Sequence, residues 1–192
     1  MVSKPFSLYV SPKIMEEVEA SQSMRLKVPA DANQKGVGEN ASYSWIELLK
    51  VVGSSVAPSK KNKDVQVFEI KFQIPDDTPF VTNLGRPYTV WYRINTAALA
   101  AGEANDGQRK MSIISIGALK NIARAATFII EDGVDVDIAS FFVAPDEDSL
   151  PPVVGARMYV RLIDKPGEDK EGNKLRNQEP RKFVAEAELK EI

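Results

Sequence analysis

Histidine and cysteine are both absent from this 192-residue chain, and each absence removes a body of chemistry. Without cysteine there are no disulfides, no thiolate nucleophile and no zinc site built on Cys, so an oxidising compartment is not needed. Without histidine, Ser-His and Cys-His catalysis go, together with the commonest general base near neutral pH and nearly all the usual zinc geometries. Carboxylate and magnesium chemistry survives, yet the balance tilts away from an enzyme, and no cofactor or metal is expected. Long apolar runs are missing too. None approaches the roughly 20 residues of a membrane span, and Met1-Val2-Ser3-Lys4-Pro5 lacks the apolar core of a signal peptide. The expected location is therefore the cytoplasm, with no membrane partner.

What is present is enough for a core. With 43% hydrophobic and 27% charged residues, the chain reads as one soluble domain, residues 43–192, preceded by an N-terminal extension, residues 1–42. A net charge of −2 argues against a generic polyanion binder. The distribution says more than the sum. Between Ile129 and Ser149 stand seven acidic residues and no basic one, whereas between Gly155 and Lys182 eight basic residues face five acidic ones. A polarised protein can hold an anion on one side while remaining acidic overall.

The extension is the least patterned part. Phe6-Ser7-Leu8-Tyr9-Val10 suits a short strand, Ser11-Pro12 suits the cap and first turn of a helix through Val18, and Ala30 to Ser42 reads as a polar connection. From Tyr43 the pattern turns to strands. Trp45 to Val52 is apolar enough for one, continued to Ala57 past a bulge or bend at Gly53. A basic turn, Ser59 to Lys63, leads to the clearest alternation: Phe68, Ile70, Phe72 and Ile74 on one face, Val67, Glu69, Lys71 and Gln73 on the other. Tyr88 to Asn95 splits the same way and places Trp91 beside Arg93. Met111 to Phe128 has the spacing of an amphipathic helix, with Ser112 as its cap and Lys120 and Arg124 on the wet side. Gly155 to Leu162 then sets Arg157, Tyr159 and Arg161 against Met158, Val160 and Leu162. A long charged loop, Lys165 to Pro180, separates it from a last apolar-containing run, Arg181 to Ala185.

Strand, turn, strand, loop, strand, helix, strand, loop, strand is the element order of an OB-fold, a five-stranded antiparallel barrel that carries a helix between strands 3 and 4. Such a barrel binds oligonucleotides on strands 2 and 3 and with the loops joining strands 1–2 and 4–5. On that expectation Trp91 and Tyr159 stack on bases, and Lys71, Arg93, Arg157 and Arg161 supply charge on the sheet. Lys60, Lys61, Lys63, Lys174, Arg176, Arg181 and Lys182 supply it at the loops.

The segment from Tyr43 to Glu188 resembles phage-type single-stranded DNA-binding proteins with an OB fold. The likeness lies in Ser59-Lys60-Lys61-Asn62 before a phenylalanine-rich strand and Asn83-Leu84-Gly85-Arg86 before a Trp/Tyr strand. It lies also in Ala118-Leu119-Lys120-Asn121-Ile122 within the helix and Val154-Gly155-Ala156-Arg157 opening the late hairpin. The resemblance implies a protein that coats replication or recombination intermediates in the cytoplasm of a phage-infected host. It implies single-stranded DNA as partner, with RNA, replication or recombination proteins and self-association left open. Many such proteins end in an acidic tail that recruits partners, whereas this chain ends Ala187-Glu188-Leu189-Lys190-Glu191-Ile192.

Other readings compete. The extension can cover Trp91 and Tyr159, the arginines can pair with Glu69 or neighbouring strands, and the aromatic sheet can serve a protein partner instead. Gly167 to Lys174 has the glycine spacing of a phosphate-binding loop, but Asn173 stands where the lysine belongs, so a hairpin tip is expected. Asp132, Asp135 and Asp137 are close enough to suggest magnesium and a nuclease, yet Gly133 interrupts them and they follow no EF-hand pattern.

Overall fold

The computed structural model describes residues 6–25, 34–35, 42–77, 88–102, 106–131 and 133–186. In chain order they form β1 (Tyr9–Val10), α1 (Pro12–Arg25), β2 (Gln34–Lys35), β3 (Ser42–Pro58), β4 (Val65–Gln73), β5 (Tyr88–Asn95), α2 (Thr96–Ala100), α3 (Asp106–Ala125), β6 (Val136–Asp137), a 3-10 turn (Ile138–Phe141), β7 (Arg157–Glu168) and β8 (Lys174–Ala185). The protein is mainly β. An antiparallel sheet runs β5-β4-β3-β7-β8, with β2 added beside β3, and β1 pairs with β6 in a separate ribbon.

Everything hangs on β3. Its first half, Tyr43 to Lys50, pairs with β7, and its second half, Lys50 to Pro58, pairs with β4. The register shifts between Val51 and Gly53, as the glycine suggested. That extra residue reverses the alternation. Leu49 and Val51 point into the core before it, whereas after it the inward positions are Ser54, whose Oγ donates to the Phe142 carbonyl at 2.9 Å, and Val56. Without the bulge, Val56 would point to solvent.

The inner face carries Phe68, Ile70 and Phe72 of β4, Tyr88, Val90 and Ile94 of β5, and Met158, Val160 and Leu162 of β7, all buried. Each such side chain contributes about 1.5–3 kcal/mol on leaving water. The sheet curls around this core until Phe183 of β8 stacks on Phe72 of β4, with ring centroids 5.9 Å apart. It does not close. The edge strands β5 and β8 share no ladder among the described residues, and α3 packs against both. The expected five-stranded antiparallel barrel is thus found as a curled antiparallel sheet that stays open. Its opening is filled by the apolar stripe Ile113, Ile116, Leu119 and Ile122, which occupies the space an edge-to-edge ladder would need.

The extension joins this core. Phe6 meets Phe68 edge-on at 6.4 Å, Leu8, Val10 and Val18 are buried, and the Leu8 amide donates to Asp137 Oδ1 at 2.7 Å. Helix α1 begins at Pro12, as the Ser11-Pro12 pair suggested, and lies against α3. Apart from Gln34, Lys35 and Ser42, the connection from Ala30 to Ser42 lies outside the described residues, as does Asn83 to Arg86.

Helix α3 corrects three expectations. It starts at Asp106, so Ser112 is an interior residue; its Oγ donates to the Gln108 carbonyl and accepts from the Asn95 amide, both at 2.9 Å. Lys120 is buried at 1% exposure, because α1 covers that position and supplies Glu19 at 2.6 Å. The helix stops at Ala125, three residues short of Phe128. There the Phe128 amide donates to the Ala123 carbonyl and the Thr127 amide to that of Arg124, with Thr127 at φ 68°. This is a Schellman turn with threonine where glycine usually sits.

The loop expected from Lys165 to Pro180 is also corrected. β7 and β8 stay paired through Glu168 and Lys174, so only the tip is irregular. Asp169 organises it, accepting from the amides of Glu171 and Asn173 and from Asn173 Nδ2, each at 2.9 Å. With Gly172 at φ 82°, this is a turn.

Candidate functional site

The extension and α3 pack on the inner face, and the residues that alternate with the buried set on β3, β4, β5 and β7 make up an outer face. Alternation puts Lys71, Trp91, Arg93, Arg157, Tyr159 and Arg161 on it, opposite the buried residues of their strands. The registers then divide these residues among three regions.

The first gathers around Trp91, which is 57% exposed. Trp91 lies across from Glu69, and its Nε1–H donates to Glu69 Oε2 at 2.9 Å. The other oxygen of Glu69 pairs with Lys71 Nζ at 3.0 Å. These two contacts, the indole first, hold the Glu69 carboxyl below the ordinary glutamate range. The bond fixes the edge of the indole and leaves its faces open. Arg93, exposed, lies across from Val67, two positions before Asn95, whose side-chain Oδ1 caps α2 by accepting from the Ala98 amide at 2.9 Å.

The basic turn stands at that end of the sheet. Asn62 Oδ1 accepts from the Asp64 amide at 3.0 Å, the Ser59 amide donates to the Val65 carbonyl at 2.7 Å, and the Asp64 carbonyl receives the Thr96 amide at 2.9 Å. Asn62, Ser59 and the backbone shape the turn, which leaves Lys60, Lys61 and Lys63 exposed and without an ion pair among the described residues.

A second cluster lies across β3. Tyr159 is half-buried between Leu48 and Val184, and Arg161 lies between Ile46 and Lys182. Lys174 is exposed at the far end of the β7–β8 arm. Arg176 and Arg181 belong to β8, and their side chains lie outside what the structure describes.

Arg157 belongs to neither cluster. Its Nη1 is 2.7 Å from Asp77 Oδ2 and its Nε 3.1 Å from Glu186 Oε2. The hydrogen bond that Arg157 donates to Asp77, with help from Glu186, raises the guanidinium above its ordinary pKa, and the Asp77 carboxyl is lowered in return. Arg157 is thus engaged in an ion-pair network of the kind foreseen as an alternative for the arginines.

The sequence pattern missed Glu69 as the residue that orients Trp91. Alternation put Glu69 and Lys71 on one face, but the cross-strand register that joins Glu69 to Trp91 is a property of the folded pair. It also missed Lys50, Ile46 and Leu48, which complete the outer face on β3. Elsewhere, Asp137 is committed to fold: its Oδ1 accepts from the amides of Leu8 and Ala139 at 2.7 and 3.1 Å. Asp132 lies outside the described residues, and no three acidic side chains are grouped for a metal among the rest.

No family, no curated protein and no solved structure matches this chain. The functional reading therefore rests on the geometry above.

Proposed function

We propose that the outer face binds single-stranded DNA without sequence preference, as a protein that coats replication or recombination intermediates does. The observation that carries this is Trp91, an exposed indole pinned at its edge, with Lys71, Arg93 and the lysine turn around it. Unpaired bases offer π-faces to such a ring, worth about 1–3 kcal/mol per base, while lysine and arginine follow the phosphates. The strand order supports an OB-type reading. In order of appearance, the five long strands run 3-2-1-4-5 across the sheet, with a helix between the third and fourth and a bent first strand shared by both halves.

Binding of labelled oligothymidylate, followed by anisotropy at rising salt and compared with duplex DNA, tests this. The expected result is preference for the single strand, affinity that falls linearly with log salt, and a loss of about tenfold in Trp91→Ala, the fold-change of one stacked base. No shift at low salt rejects the reading.

A second reading has an observation of its own. Ile46 and Val52 are exposed apolar residues of β3 on the same face as Tyr159, which suits a protein partner. Sedimentation of the chain alone distinguishes the two, since self-association abolished by Ile46→Lys would favour this reading.

A further inference from the structure

We infer that the strand is held at one end of the outer face only, by Trp91, Arg93 and the lysine turn, and that the β7–β8 half of the sheet takes no phosphate; this rests on the single-strand reading above. The two halves differ in what their cations already hold. On β7 and β8, Arg157 is tied to Asp77 and Glu186, and none of Arg161, Lys174 and Lys182 is free. Lys71 is in the same condition, paired with Glu69. A phosphate that recruits any of these must displace an existing partner, so the exchange returns little.

At the end of β5 the cations are uncommitted. Arg93 is exposed and lies two residues, about 7 Å, past Trp91 along the strand. Asn95 comes two residues later, across from Val65, where the turn joining β3 to β4 ends. Lys60, Lys61 and Lys63 are exposed on that turn, and neither they nor Arg93 has an ion pair among the described residues. Asp64 is the exposed carboxylate set against them.

The turn is also fixed in shape. The Asp64 carbonyl accepts from the amide and Oγ1 of Thr96, at 2.9 and 3.1 Å, which ties the turn to the end of β5. The Lys63 carbonyl accepts from Gln66 Nε2 at 3.2 Å, and the Lys61 amide donates to Ser59 Oγ at 3.3 Å. None of these bonds uses a lysine side chain. Phosphates therefore meet charges whose backbone is ordered before binding, which lowers the cost of association. One base stacks on Trp91 and the phosphates that follow run toward the turn, a footprint at the low end of the roughly 4–16 nucleotides that one OB-type domain covers.

Single-strand affinity falls with log salt at a slope of about 0.7 per phosphate neutralised. Anisotropy of labelled oligothymidylate with the full chain, at graded salt, measures that slope. Combining Lys60→Gln, Lys61→Gln and Lys63→Gln should make it shallower by about 2, and Arg93→Gln by about 0.7. Saturation of a long oligothymidylate should give one chain for about 4–6 nucleotides. A slope unchanged in the triple variant, a slope lowered as far by Arg161→Gln, or a footprint above about ten nucleotides overturns the one-ended site but leaves single-strand binding standing. Failure of the unaltered chain to bind at low salt overturns both.

Discussion

Glu69 serves two partners with one carboxylate, which makes it sensitive to acid. Its folded pKa is depressed, so the Glu69–Trp91–Lys71 contact contributes fully above the ordinary glutamate range and is lost as pH falls through the lowered folded value. Tryptophan emission should therefore change in one acid step below that range. Glu69→Gln should lack the step, and a persistent step would assign the change to another group. Thr127 is the other residue with a definite expectation. A β-branched residue at φ 68° is a steric outlier. Because a Schellman turn favours glycine there, Thr127→Gly should raise stability by about 1 kcal/mol, read as a higher denaturant midpoint at unchanged slope.

Between elements, two ion pairs join α1 to α3: Glu17 to Arg109 and Glu19 to Lys120, each at 2.6 Å. The Glu19 carboxyl is held below its ordinary range by Lys120, yet that side chain is 54% exposed, so solvent screens much of the attraction. Lys120 itself is buried. Glu19→Gln should destabilise by about 2 kcal/mol because it strands a buried cation, whereas Lys120→Met should be neutral or stabilising. Chemical denaturation of the two variants checks the contrast. Lys120 also marks what the sequence could reveal. The alternation of β4 and β5 was readable because each strand has one wet and one dry face, and that placed Lys71, Trp91 and Arg93 together. Lys120 was misread as wet because its cover comes from Glu19 of α1, 101 residues earlier. The β7–β8 arm was misread as a loop for a related reason. Beyond the core the sequence of its strands has no regular apolar alternation to mark them, while the backbone ladder continues to Glu168 and Lys174.

At the scale of the molecule, the long β3 has a consequence in time. Its second half finds β4 through a short turn, but its first half pairs with β7, where Tyr43 meets Asp164. Contacts so distant in sequence are closed late, since the entropy of a long loop must be met before pairing returns anything. During synthesis, β3, β4 and β5 are all outside the ribosome well before β7 appears. Until then, the stretch from Tyr43 to Leu49 is a strand with its future partner missing, open to a second nascent chain. Pulsed hydrogen exchange during refolding should find the amides of Phe68 and Ile70 protected before those of Val160 and Leu162. Translation of this message therefore carries a window of vulnerability that shuts only when Gly155 to Leu162 emerges.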